Sequence, residues 1–418
     1  MADAASGVIA VDQRGAMITT RRGADILAFL LMCLFTTGSV ALSLMPVVTN
    51  ELRTVIGLSD AQIGLLSSVF VGCVGASALL SGIAAARWGG RLLGVSATCF
   101  AVGSLVFGLS SGFAGFVVGR ALQGIGGGMV TATCSPLMAR VLPPERLGRA
   151  WGIAGCGGGL GTMAALLIMP SIESAGGYRA VFLAAAGLNV VVGIAVLSQR
   201  AVRALPGQGD GVTTLRGLVV SLGAAAINKR VLLLGLSNAA SLAAMVGILA
   251  WTPSFLQDVH GSSAAISVYL VAGLGAAQLL GNPMGAAGAA AWGKYRVIIG
   301  CLAIMSVATA VLGIVPGVAL AFAMVLLVGF VSMFLFPPSV SYLPEIVAKP
   351  QQIGPSTGIY MSMGFVGSFV APLLFGSILD AGGQSSRSYV IGYFMLAAFG
   401  ALGVVGMAFF RGPKRKPS

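Results

Sequence analysis

Charge is scarce in this chain. Only 8% of its 418 residues are charged, and acid is scarcer than base, with 11 Asp and Glu against 24 Lys and Arg. A soluble domain carries about 25% charged residues, so a chain this poor in charge could not cover a core of its own size with polar surface. Histidine is almost missing: His260 stands alone, and one imidazole supplies neither a pair of haem ligands nor a base for a serine nucleophile. The six cysteines, Cys33, Cys73, Cys99, Cys134, Cys156 and Cys301, show no metal-ligand spacing and read as buried apolar thiols. No phosphate-binding loop suited to ATP hydrolysis is present. Metal centres, cofactors and enzymatic catalysis are therefore not expected. The formal net charge of +13 does not point to nucleic acid either, because no polar segment is long enough to fold into a basic surface.

What fills the chain instead is apolar. Hydrophobic residues make up 57%, and the mean hydropathy is +0.98. Twelve long apolar runs predict membrane-spanning helices at 26–49, 61–86, 92–110, 112–139, 149–171, 178–199, 231–256, 264–290, 297–315, 317–344, 353–379 and 388–410. About twenty apolar residues match a hydrocarbon layer of roughly 30 Å, and helices satisfy their own backbone within it. The 62 glycines fit the same picture, since small residues let membrane helices approach closely.

The basic residues set the expected orientation. Twenty of the 24 fall in the N-terminal segment, the even-numbered loops and the C-terminal tail; Arg53, Arg179 and Arg387 fall on the other side, and Arg120 lies inside a span. Lys and Arg stay on the cytoplasmic side, so both termini are expected in the cytoplasm, in a bacterial inner membrane, with the surplus charge facing lipid headgroups.

The second half repeats the first. Trp88-Gly89-Gly90-Arg91 after span 2 is answered by Trp292-Gly293-Lys294 and Arg296 after span 8, at an offset of 204. Ser174-Ala175-Gly176-Gly177 is answered by Asp380-Ala381-Gly382-Gly383 at an offset of 206, and Pro46 by Pro253. The expected fold is therefore all-α, with twelve transmembrane helices in two pseudo-symmetric six-helix bundles. The expected divisions are a cytoplasmic segment 1–25, a first bundle 26–199, a cytoplasmic linker 200–230, a second bundle 231–410 and a basic tail 411–418. Leu215, Leu218, Val219 and Leu222 fall at helical spacing in the linker, which predicts an interfacial helix.

Local motifs carry a family resemblance. Gly82 to Arg91 reads GIAAARWGGR, and Arg120 to Gly128 reads RALQGIGGG. With six plus six spans and a long central loop, these resemble the major facilitator superfamily: Gly82, Arg87, Gly89 and Arg91 match its loop signature, and Arg120, Gln123, Gly124 and Gly126 match its fourth-helix signature. The resemblance implies gating roles for Gly82, Arg87, Gly89 and Arg91 and for the repeat-related Trp292, Lys294 and Arg296. Ala86 stands where the family usually has Asp, which implies a weakened or differently built inner latch. Gly155 to Gly161 reads GCGGGLG, without the Gly-Pro pair of many drug–proton antiporters, and their first-span acid is missing too.

Arg120 is the one charge placed deep in a span. At 1.5 Å per residue it lies about 12 Å from the outer end, where a charge costs on the order of 3 kcal/mol by insertion scales. Two roles fit it: contact with an anionic substrate or a coupling ion, or hydrogen bonding to helix carbonyls within the first bundle. No Asp or Glu stands at the centre of any span, so a cavity holding Arg120 would carry positive potential. The family pattern puts helices 1, 4, 7 and 10 around the path, which makes Thr36, Thr37, Arg120, Gln123, Asn238, Trp251, Ser339 and Tyr342 the substrate-binding candidates. Pro337-Pro338 is expected to break span 10. The resulting expectation is a secondary or facilitative transporter for a small organic anion, working by alternating access and driven by a solute gradient, by protons or another ion, or by membrane potential. Export of amphipathic drugs or lipids through the same fold is the first alternative, and a non-transporting membrane sensor or assembly component the second.

Overall fold

The computed structural model describes residues 10–11, 17–18, 21–141, 144–198, 217, 223, 225–347 and 353–410. Apart from a two-residue strand pair, Ala10–Val11 with Met17–Ile18, the described chain is helical. The helices are α1 Arg21–Thr54, α2 Asp60–Trp88, α3 Arg91–Leu109 and α4 Phe113–Val141, then a run Pro144–Ser198. After it come α7 Lys229–Asp258, α8 Ala264–Trp292, α9 Lys294–Ile314, α10 Val318–Ile346, α11 Ile353–Gly382 and α12 Ser386–Ala408. The run of 55 residues would measure about 80 Å if straight, far more than a bilayer. It breaks where Gly176 and Gly177 leave helical geometry, with Gly177 at φ +66°, a conformation that suits glycine. We call its two parts α5 (144–175) and α6 (178–198). Eleven described helical runs are long and apolar enough to cross a membrane, and with this break they supply twelve crossings.

Packing partners repeat with a step of six. In the first bundle α1 packs on α5, α2 on α4, and α3 on α4 and α6; in the second α7 packs on α11, α8 on α10, and α9 on α10 and α12. The bundles meet along two seams, α2 against α11 and α5 against α8. Glycine makes the second seam: Gly159 and Gly275 face each other so closely that a Cβ on either would stand 2.6–2.7 Å from the other's carbonyl oxygen.

Two expectations change. The helices outrun the apolar stretches, α1 by several polar residues at each end, because intrahelical hydrogen bonding continues through the interface where side chains meet water and headgroups. Pro337-Pro338 does not break its helix: α10 runs through both and through Pro344. The carbonyl that Pro338 leaves without a helical donor is that of Phe334, and Gly285 packs α8 closely against it, with no room for a side chain. Leu215, Leu218, Val219 and Leu222, which carried the linker-helix expectation, lie outside the described residues, as do the basic tail and most of the N-terminal segment.

Candidate functional site

Arg120 is the centre of the buried polar structure in the first bundle. It sits on α4, which glycine brings close to its neighbours: a Cβ at Gly124 would collide with the Phe70 carbonyl on α2, and one at Gly126 would press on the Ser96 carbonyl on α3. The guanidinium is fully buried. Nη1 donates to Ala41 O on α1 at 2.7 Å and to Gln123 Oε1 at 2.9 Å, and Nε donates to Leu66 O on α2 at 3.2 Å. Its plane lies over the Phe70 ring, 4.5 Å from the centroid. Gln123 is oriented in turn, its Nε2 donating to Ser104 Oγ at 2.8 Å. Arg120 thus joins three helices through three of its five donors; Nη2 has no partner.

The other candidates do not converge on it. Thr36 and Thr37 donate to Met32 O and Leu34 O of their own helix, and Ser339 does the same to Leu335 O. Asn238 donates to Tyr360 O and Trp251 Nε1 to Pro372 O, so both tie α7 to α11 inside the second bundle. One turn from Asn238 on α7, the buried hydroxyl of Ser241 has no hydrogen-bond partner among the described residues. Tyr342 packs edge-on against Phe410, with Lys294 Nζ 5.7 Å from its ring centroid. Lys294 itself donates to Ser341 O and Glu345 Oε1, which joins the start of α9 to the end of α10. Trp292 stacks on Phe334, and Arg91 is exposed. Gly89, at φ +54°, makes the turn between α2 and α3. The side chains of Gly82, Ala86 and Arg87 lie outside the described residues.

Sequence reasoning missed a set of ionic ties between the bundles at the basic-poor end. Arg53, at the end of α1, pairs with Asp60 of its own bundle at 2.7 Å and reaches Asp258 of the other at 3.1 Å. Asp380, at the end of α11, accepts from the backbone N–H of Asp60 and of Ala61, and Gln384 Nε2 donates to Asp60 Oδ2. Lower along the seam, Ser68 Oγ donates to Phe369 O. The sequence cue was available: Asp380 occupies the repeat position of the neutral Ser174.

Comparison with known proteins agrees with this architecture. A family model described as Major Facilitator Superfamily matches residues 27–287. An uncharacterized MFS-type transporter of Bacillus subtilis, YhcA, is 32% identical over 114 residues, which cover 27% of this chain and 21% of that protein. A multidrug resistance protein B homolog of Mycobacterium tuberculosis is 33% identical over 118 residues, 28% of this chain and 21% of that protein. These matches span about a fifth of the relatives' own length. Among solved structures, a bacterial homolog of the lysosomal transporter Spinster, inward-facing and occupied, superposes with a TM-score of 0.71 at 18% identity, covering 92% of this chain and 96% of its own. A peptide transporter POT in complex with sulfate superposes with a TM-score of 0.74 at 14% identity, covering 91% and 93%. At these identities the structures share the fold.

Proposed function

Because the chain is an integral membrane protein that belongs to the major facilitator superfamily, we propose that it is a secondary transporter working by alternating access. It sits in a bacterial inner membrane with both termini in the cytoplasm, residues 26–199 and 231–410 forming the moving bundles and 200–230 the linker. One observation carries this reading. The bundles touch along two seams, one of them glycine-lined, and ionic ties bridge them at one end, so the two bodies can rock about the seams once those ties part. By the basic-residue asymmetry that end is the outer one, and the structure is an outer-closed state.

The substrate class we propose is a small organic anion. Arg120 supports it: a buried guanidinium keeps the two donors of Nη2 unused. The described acids Asp25, Glu51, Asp60, Glu173, Asp258, Glu345 and Asp380 all stand near helix ends, away from it. The local similarity to a multidrug resistance protein homolog favours a second reading, export of amphipathic drugs or lipids. Uptake into proteoliposomes separates the two. A panel of mono- and dicarboxylates should show saturable flux with mutual competition. Flux of lipophilic cations without anion flux would replace the anion reading with the export reading, and anion binding without flux of any solute would make the protein a sensor.

A further inference from the structure

A helix leaves its first N–H groups without intrahelical partners, and a side chain next to the helix start usually accepts from them. Three helices of the second bundle follow that rule within their own chain segment. Asn228 caps α7, Ser263 Oγ accepts from Ile266 N at the start of α8, and Ser385 Oγ accepts from Ser388 N at the start of α12. Helix α2 has such a local cap and, besides it, a partner from the other bundle. Ser59 Oγ meets Gln62 N, but the N–H groups of Asp60 and Ala61 donate to Asp380 Oδ1 at 2.8 Å and Oδ2 at 2.9 Å. The carboxylate that grips this helix N-terminus belongs to the other bundle, and it also faces the positive end of the α2 dipole.

The grip is one-sided within the repeat. Ser174 holds the position related to Asp380, and the related start of α8 is capped by its own Ser263. Two further crossings surround the grip: Arg53 to Asp258, which also accepts from the Tyr389 hydroxyl, and Gln384 to Asp60, which is buried and neutralised by Arg53. At the opposite end of α2, position 86 is alanine.

We infer that Asp380 is the main tie of an outer latch, a carboxylate of the second bundle clamped on the N-terminus of a helix in the first, which must let go each time the outer side opens. The inference rests on the alternating-access reading. Among the described residues the charge-assisted crossings lie at this end, and they hold the outer side closed in this structure. Asp380 is exposed, so water replaces part of what opening removes. Losing two charge-assisted bonds should still raise the open-to-closed ratio at least tenfold, about 1.4 kcal/mol.

The test is the distance between spin labels at Gly112 and Pro316, on outer loops of the two bundles, measured by electron–electron double resonance in proteoliposomes in a cysteine-replaced background. The parent should give one short distance. Asp380→Ala should populate a longer one at least tenfold more, Asp380→Asn less so, and Ser263→Ala, which removes a cap confined to one bundle, should leave the distribution alone. An unchanged distribution in folded, monodisperse Asp380→Ala overturns the latch. Should that variant not fold, Asp380→Asn, which keeps the size of the side chain and removes its charge, must shift the distances in the same direction, and failure to do so overturns it equally. Flux in the parent protein separates the two inferences: flux without a shift refutes the latch alone, whereas a parent with neither flux nor a second distance refutes alternating access.

Discussion

Replacing Arg120 should produce an order of stabilities opposite to charge conservation: Arg120→Lys should be less stable than Arg120→Met. In the wild type a fully buried cation is compensated by three hydrogen bonds, two to helix carbonyls and one to Gln123 Oε1. Lysine keeps the charge but has neither the fork nor the reach to meet Ala41 O and Leu66 O together. A buried charge stripped of partners typically costs about 3–5 kcal/mol. Methionine removes the charge and the need to compensate it, and its thioether can keep contact with the Phe70 ring. Ala41 O and Leu66 O sit inside helices and retain helical donors, so the main loss is Gln123 Oε1 left buried without a donor, about 1–3 kcal/mol. Thermal unfolding of the purified proteins in one detergent should therefore rank wild type, then Met, then Lys. A Lys variant more stable than the Met variant would refute the reasoning, because it would mean that the charge itself, and not the fork of hydrogen bonds, holds α1, α2 and α4 together. The same Met variant tests the anion proposal: its apparent affinity in proteoliposomes, normalised to folded protein, should fall at least tenfold, about 1.4 kcal/mol. Undiminished affinity would leave Arg120 a structural staple only.

Three other outcomes are expected. Single cysteines at Gly207 and Ser418 should resist an impermeant thiol reagent in intact cells while one at Ser262 reacts; labelling of Ser418 without permeabilisation would overturn the orientation. Gly124→Val should destabilise the first bundle by about 1–3 kcal/mol or more, since its side chain must displace the Phe70 carbonyl and Cys73; Gly112→Ala, with nothing within 4 Å of its Cβ, should be neutral in the same thermal assay. Gly275→Val, on the seam against Gly159 and Met163, should reduce flux far more than it lowers melting temperature, because it separates the bundles without entering either core.

The fold was legible because the bilayer imposes one demand on every crossing, an apolar run that hydrogen-bonds to itself. The turn between α5 and α6 was marked as well: Gly176-Gly177 recurs as Gly382-Gly383, and Gly177 and Gly383 both take positive φ. Arg120 could be recognised as turned away from lipid because a guanidinium deep in a span has few alternatives, but the sequence left open whether it meets a solute or helix carbonyls. Helix ends were less legible, since a helix does not stop where the apolar residues do. Pro337-Pro338 misled for a related reason. The sequence displays the missing donors but not the glycine of another helix that packs against the freed carbonyl.

The rest of the site was hidden by distance along the chain. Asn238 and Trp251 look like lining residues because they are polar groups on a helix expected to face the path, yet each spends its donor on a carbonyl of α11 more than 120 residues away. Thr36, Thr37 and Ser339 show the opposite limit, hydroxyls satisfied within one turn and therefore silent about any neighbour. The ties at the basic-poor end join positions 205 and 320 residues apart, and no local pattern pairs Arg53 with Asp258 or Asp380 with the start of α2. A comparison of the two halves does carry a signal, because a repeat forces related positions into related surroundings. Where one copy keeps a neutral Ser174 and the other places Asp380 on the first N–H groups of a helix in the other bundle, the departure from symmetry marks the position whose job differs between the halves. In a protein built from two like bundles, such departures locate the asymmetry that a directional cycle requires, and Asp380 is the clearest of them in this chain.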